Sequence, residues 1–369
     1  MSLESLNNGA RTLERVVGEF PSHSSGVMAT DAHAQHGKHQ FWSDLPDLNG
    51  IQYTGLLTKG KMNRPLYLRI ETVNACNNLC IICAYRDQER TKRTMDMDLF
   101  KKTVQDYVAL GGGFLSLTPL VGDVLLDRKL TERLRYLESV PGIRELGVTT
   151  NAVLASRFDD GELQYLVNRF QRVSISVYGL DSDEYEKMTQ RRTYNEMVEG
   201  IRRILVQSPR QISLEFRLLK KRPEEDIFRW VAEEVVPELS PEIVRQKARI
   251  NSVITDYANW GIYGDQNTPL PHDARWFASE YRQQRPQCLI PIFACIVFSN
   301  GNVSFCPCDN FDDDPELRLG NLLESSLAQL YNGPRVAELW NWSRHGTPEF
   351  CRNCSFHIPI QYLWIMPFT

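Results

Sequence analysis

From residue 66 onward, short apolar runs alternate with amphipathic stretches. The runs LYLRIETV (66–73), FLSLTPL (114–120), ELGVTTN (145–151), RVSISVY (172–178), SLEFRLL (213–219) and ARINSVI (248–254) have the length and side-chain content of strands. Between them apolar residues recur at helical spacing, most clearly at Met97, Phe100, Val104, Tyr107 and Val108. Gly111–Gly113 end that stretch, as glycines do past a helix C-terminus. Six strands alternating with helices predict a parallel sheet with right-handed crossovers. The number of units predicts an α/β fold, a partial (β/α)6 TIM-like barrel with its working end at the C-terminal strand ends.

The pattern sets expected boundaries. Residues 1–60, rich in Ser, Gly, Asn and His, are expected as a partly mobile extension. His33, His36 and His39 stand three apart there, and we read them as solvated rather than metal-binding. Residues 61–262 are the expected barrel. Residues 263–369 are expected as a small appended domain with a helical stretch, SLAQLYNGPRVAELWN. Its apolar tail, HIPIQYLWIMPFT, is too short to span a bilayer and is expected to pack on the barrel or line its mouth.

Composition narrows the classes. With 42% hydrophobic and 24% charged residues the chain reads as an ordinary soluble protein. A formal charge of −4 gives no electrostatic case for nucleic acid or anionic membranes. No apolar run approaches the ~20 residues of a membrane span, and the N-terminus lacks the apolar core of a secretory signal. The expectation is a cytoplasmic protein with neither nucleic acid nor membrane as partner.

The nine cysteines carry the chemistry. An odd number argues against a complete disulfide set, and clustered thiols in a reducing compartment bind metal or do redox work. Cys76, Cys80 and Cys83 fall directly after the first strand, spaced x3 and x2. Structural zinc needs four protein ligands, usually in two short pairs. A disulfide would leave one thiol over. A [4Fe–4S] cluster is normally held by four cysteines, so three leave one iron open for a small molecule.

On a loop after the first strand of a β/α barrel, Cys76-x3-Cys80-x2-Cys83 resembles the signature of the radical S-adenosylmethionine (radical SAM) superfamily, over about residues 66–255. The resemblance implies a [4Fe–4S] cluster whose open iron chelates S-adenosyl-L-methionine, and reductive cleavage to a 5′-deoxyadenosyl radical that takes a hydrogen from the substrate. It implies a flavodoxin- or ferredoxin-type reductant. It also implies cofactor contacts where residues match. Gly122 and Asp123 stand in the Gly-Gly-Glu-like turn after the second strand, with Val121 at the first glycine position. Thr150 and Asn151 end the third strand, and Ser176 matches the ribose contact on the fourth. Arg191 or Arg192 would meet the methionine carboxylate. Ile82 occupies a position that is commonly aromatic, so Tyr85 is the candidate adenine contact. The bland alternative for each is strand-end packing or surface charge.

Six cysteines return between 288 and 354. Cys351-x2-Cys354 is a natural chelating pair, and Gly301-x4-Cys306 places a turn before a third ligand; Cys288 and Cys295 both precede it. The arrangement resembles the SPASM/twitch extensions of radical SAM enzymes, which picks Cys288. That resemblance implies a second, auxiliary [4Fe–4S] cluster on Cys288, Cys306, Cys351 and Cys354, with one zinc in the same thiols as the alternative. Cys295 is then a buried strand residue. Cys308 is either a packed thiol or a hydrogen-atom donor near substrate.

The ligand spacing is similar to that of twitch-type aminocyclitol dehydrogenases. It implies oxidation of a small polyol, aminocyclitol or sugar-like metabolite, with the auxiliary cluster as electron acceptor. Arg217, late on the fifth strand, is a candidate substrate or base residue. Two alternatives stand beside this: crosslinking or epimerisation of a ribosomal peptide, the latter through Cys308, and a non-catalytic Fe–S or zinc-binding scaffold.

Overall fold

The computed structural model describes residues 64–260, 269–276, 287–288, 290–352 and 354–357. The expectations for residues 1–60, including His33, His36 and His39, and for the tail from residue 358 lie outside them.

The six strands read from the sequence are present: β1 (Tyr67–Ile70), β2 (Gly113–Ser116), β3 (Ile143–Thr150), β4 (Arg172–Val177), β5 (Ile212–Arg217) and β6 (Ala248–Ile254). Each pairs in parallel with the next. The connecting helices include α1 (Met97–Ala109), α2 (Leu130–Glu138), α3 (Asp160–Arg169), α4 (Ser182–Thr189) and α5 (Tyr194–Gln207). Asp159 and Asp181 cap α3 and α4 by accepting from Glu162 N and Glu184 N.

The C-terminal region joins the barrel through its sheet. Its strands β9 (Ala294–Val297), β10 (Asn302–Ser304) and β11 (Arg318–Asn321) continue the sheet, in the order β11-β10-β9-β1-β2-β3-β4-β5-β6. β9 runs parallel to β1, with Leu68 opposite Cys295 and Ile70 opposite Val297; β10 and β11 are antiparallel. A separate short pair, β7 (Asp256–Tyr257) and β8 (Arg275–Trp276), follows β6. The helical stretch expected after residue 325 divides at Asn332–Gly333 into Leu327–Tyr331 and Pro334–Trp340. Among the described residues no helix is long and apolar enough to cross a membrane.

Strand alternation decides where the core sits. Leu68, Ile70, Leu115, Leu146, Val148, Val173, Ile175, Val177, Leu214 and Phe216 are buried with Phe100, Val104, Leu134, Leu163 and Ile201 of the helices. Each such side chain contributes roughly 1.5–3 kcal/mol on burial. The alternate positions, Arg69, Ser174, Ser176, Ser213, Glu215 and Arg217, point to the opposite, concave face. The concave face is therefore polar and suited to a reaction chamber, not the branched apolar filling of a closed barrel. Its lower end carries the Tyr67–Phe114 ring stack, 4.8 Å between centroids. Gly147 makes room for that stack, since a Cβ there would lie 2.6 Å from the Phe114 ring.

Candidate cluster and cofactor site

The loop from Cys76 to Cys83 is held by backbone bonds to its neighbours. Leu79 N donates to Thr189 O at 3.0 Å and Ile81 N to Met188 O at 2.9 Å, docking the loop on the end of α4. Backbone N–H groups also aim at the thiols. Asn78 N lies 3.5 Å from Cys76 Sγ and Tyr85 N 3.4 Å from Cys83 Sγ, while Asn151 Nδ2 lies 3.9 Å from Cys76 Sγ. Tyr178 donates to Cys80. Burial pushes all three thiols up, Cys83 to about 11, against the opposing pull of the Tyr85 N–H and the Arg217 charge. Thiols this buried need a cation to become thiolates. Iron would supply one, and N–H groups directed at sulfur are what cluster ligands use. The donor set fits.

The candidate cofactor contacts separate into two groups. Asp123, Thr150 and Asn151 converge beside Cys76. Asp123 N donates to Ala75 O at 2.8 Å, and Gly122 permits that approach, with φ +146 and a Cβ position only 2.9 Å from Ala75 O. The Asp123 carboxylate is buried and accepts from Thr150 Oγ1 (3.0 Å), Asn151 N (2.7 Å) and Leu125 N (2.9 Å). It thus ties the ends of β2 and β3 together. Arg191 reaches the loop, its Nε donating to Asn77 O at 3.2 Å. Arg192 instead turns outward to Glu186, with its side chain 85% exposed. Ser176 is buried on β4, opposite Glu215 of β5. The Tyr85 ring lies 4.0 Å from Lys92 Nζ.

Arg217 pairs with Glu215 at 2.6 Å, and its charge is felt by Cys83, Tyr178 and Tyr257. Glu215 was not singled out from sequence. Its signal is the alternation Ser213, Glu215, Arg217, polar positions on a strand whose other positions are core.

The later cysteines assemble from three stretches. Cys288, Cys306, Cys351 and Cys354 all line one small cavity, walled by Ile290, Phe305 and Trp342. Cys308 lines it too, making five thiols. It hydrogen-bonds to Cys306, and this bond, with the N–H groups of Asp309, Cys308 and Asn310, holds the Cys306 thiol down to about 6 although burial opposes it. Cys295 lies apart, fully buried within β9. Among the described residues no disulfide joins any cysteines, and no three His, Cys, Asp or Glu side chains gather closely enough for a single ion. Thiols framing a cavity suit a multi-iron cluster better than one zinc, whose Zn–S bonds are about 2.3 Å.

Comparison with known proteins agrees with this geometry. The radical SAM superfamily profile matches residues 70–231, and the SPASM profile, an iron-sulfur cluster-binding domain, matches residues 288–355. Among curated relatives, GTP 3′,8-cyclase of Pseudomonas fluorescens is 26% identical over 40% of this chain and 43% of its own length. GTP 3′,8-cyclase of Thermodesulfovibrio yellowstonii is 29% identical over 39% and 44%. The chain thus spans under half the length of these relatives. Among solved structures, SuiB of Streptococcus suis bound to precursor peptide SuiA is 13% identical, with a TM-score of 0.52 over 96% of this chain and 84% of that one; this likeness establishes the fold. BtrN in complex with AdoMet and 2-DOIA is 16% identical, with a TM-score of 0.48 over 78% of this chain and 92% of that one.

Proposed function

We propose, for a chain that is a radical SAM protein with a SPASM iron–sulfur domain, that it is an enzyme oxidising a small polyol, aminocyclitol or sugar-like metabolite. The radical SAM domain implies a [4Fe–4S] cluster and S-adenosylmethionine, and the SPASM domain implies auxiliary iron–sulfur chemistry. When bound, these groups supply hydrogen-atom abstraction and an acceptor for one electron.

The observation that supports oxidation is the second cavity. Cys288, Cys306, Cys351 and Cys354 supply four thiols to it behind an apolar wall. Four ligands saturate a [4Fe–4S] cluster, so this one would not grip substrate through an open iron. Electron acceptance is its remaining role. Cys76, Cys80 and Cys83 would hold the first cluster; Gly122, Asp123, Thr150, Asn151, Ser176, Tyr85 and Arg191 would form the cofactor wall, with Arg192 outside it.

The concave face supplies the rest. A substrate carbon that loses a hydrogen atom beside a hydroxyl becomes a carbonyl once the hydroxyl proton reaches a base and one electron an acceptor. Glu215, buried and paired with Arg217, takes that proton. Arg217 orients the substrate oxygen. Incubation of the reconstituted enzyme with reductant, S-adenosylmethionine and a panel of aminocyclitols and polyols tests this. Oxidised product in step with 5′-deoxyadenosine supports it, and 5′-deoxyadenosine without oxidised product from any member removes it.

A second reading is modification of a peptide by crosslinking or epimerisation. It is supported by the breadth of the likeness to SuiB, a structure bound to a precursor peptide. Deuterium from solvent at one product carbon would favour epimerisation. Cys308 lies against the auxiliary thiols, so its use as hydrogen donor requires substrate to reach that cavity. A non-catalytic scaffold is the reading left if S-adenosylmethionine is never cleaved. A flavodoxin- or ferredoxin-type protein would supply the reducing electron.

A further inference from the structure

Arg90 lies on the segment that leaves the first cysteine loop, and the proposed activity assigns it no task. Its guanidinium forks onto Glu71, with Nη1–Oε1 and Nη2–Oε2 both 2.8 Å. Nε and Nη2 also donate to Phe311 O at 3.2 and 2.7 Å. The backbone N–H groups of Glu89 and Arg90 donate to Asp312 Oδ1 at 3.0 and 3.1 Å. Glu71 is fully buried just past β1 and accepts twice more from Ser299, through N (3.2 Å) and Oγ (3.0 Å). The guanidinium lies 4.5 Å from the centre of the Phe298 ring.

The partners are informative by their position. Glu71 and Arg90 flank the first cysteine loop. Ser299 follows β9, and Phe311 and Asp312 follow Cys306 and Cys308 in the second site. Trp260 makes a parallel link: its Nε1 donates to Ile82 O at 2.9 Å, and its ring meets Phe311 and Phe356 edge-on at 6.2 and 6.4 Å. Phe356 stands two residues past Cys354. The two thiol-bearing regions are thus bolted together at their loops as well as through the β1–β9 pairing.

We propose that Arg90, with Glu71, is a positioning residue that sets the distance between the radical-generating cluster and the auxiliary cluster. This rests on the reading that an electron passes to the second site. A bidentate guanidinium–carboxylate pair is planar and directional, and the full burial of Glu71 makes a lost bond costly on the carboxylate side. Electron transfer falls steeply with distance, so a loosened clamp uncouples substrate oxidation from radical generation. Lysine keeps the charge but not the fork.

The test uses the fully reconstituted holoprotein. Arg90→Lys is compared with the double variant Glu71→Gln/Arg90→Met, which avoids leaving a buried carboxylate unpaired. Pulsed EPR reads the dipolar coupling between the two reduced clusters, and product per 5′-deoxyadenosine reads the coupling of chemistry. Both variants are expected to keep wild-type iron and to show a shifted or broadened intercluster distance. Product per 5′-deoxyadenosine should fall at least about tenfold, with 5′-deoxyadenosine formation maintained. Wild-type distance distributions in both variants would overturn the proposal. Loss of the first cluster in Arg90→Lys would also overturn it, by making Arg90 part of that loop's own fold. If the wild type yields no oxidised product at all, the oxidation reading fails, while the distance measurement still decides the role of Arg90.

Discussion

Cys76, Cys80 and Cys83 sit on one short loop, whereas Cys288, Cys306, Cys351 and Cys354 come from three stretches separated by β9, β10, β11 and several helices. The first loop is held by its surroundings, through Met188, Thr189 and the Ala75–Asp123 contact. The second set is drawn from segments distant in the chain that meet around a cavity. A ligand group carried on a prebuilt scaffold can lose its metal and keep its shape. One gathered from distant segments depends on the metal to hold them, because its binding free energy is in part folding free energy. The two sites therefore differ in what metal removal does to the protein.

The largest effect follows from replacing whole ligand sets. The Cys76/Cys80/Cys83→Ala variant should form no detectable 5′-deoxyadenosine while melting close to wild type. The Cys288/Cys306/Cys351/Cys354→Ala variant should melt well below it. Equal melting of the two by calorimetry would break the contrast. Next in size, Glu215→Gln should lower oxidised product roughly 10²-fold or more with 5′-deoxyadenosine formation retained, the scale of a lost general base; chromatography of both products checks this.

How much of this was readable in the sequence follows the same contrast. The strands β1 to β6 are legible because alternation such as Val173, Ile175, Val177 against Ser174 and Ser176 shows both the strand and its faces. The first cysteine loop is legible because its ligands are neighbours. The strand β9 is not, since Ala294, Cys295, Ile296 and Val297 are buried on both faces and show no alternation. Its pairing with β1 is a contact across more than half the chain. Cys308 could not be placed in the second cavity from spacing alone, because a turn after Cys306 decides whether it faces inward. The inward role of Asp123, which accepts from Thr150 and Asn151, depends on β2 and β3 ending side by side.

Smaller effects refine the comparison. Asp123→Ala strands the Thr150 hydroxyl and two backbone N–H groups, so it should destabilise the protein by about 1–3 kcal/mol or more, measured by chemical denaturation. It should also weaken the first site before the second. The smallest effect is expected from Cys308→Ala. It removes a hydrogen bond to Cys306 but none of the four proposed ligands, so auxiliary iron should be retained with a lowered cluster potential, read by redox titration. Loss of the auxiliary iron would instead make Cys308 a ligand.

The most direct test of the two-cluster account is iron and acid-labile sulfide per chain on anaerobically reconstituted protein, wild type beside Cys76/Cys80/Cys83→Ala. The account predicts about eight irons falling to about four, one [4Fe–4S] cluster for each cysteine group. About four irons falling to none, with zinc retained in the variant, would contradict it. The second site would then be structural, and the proposed electron acceptor would be gone.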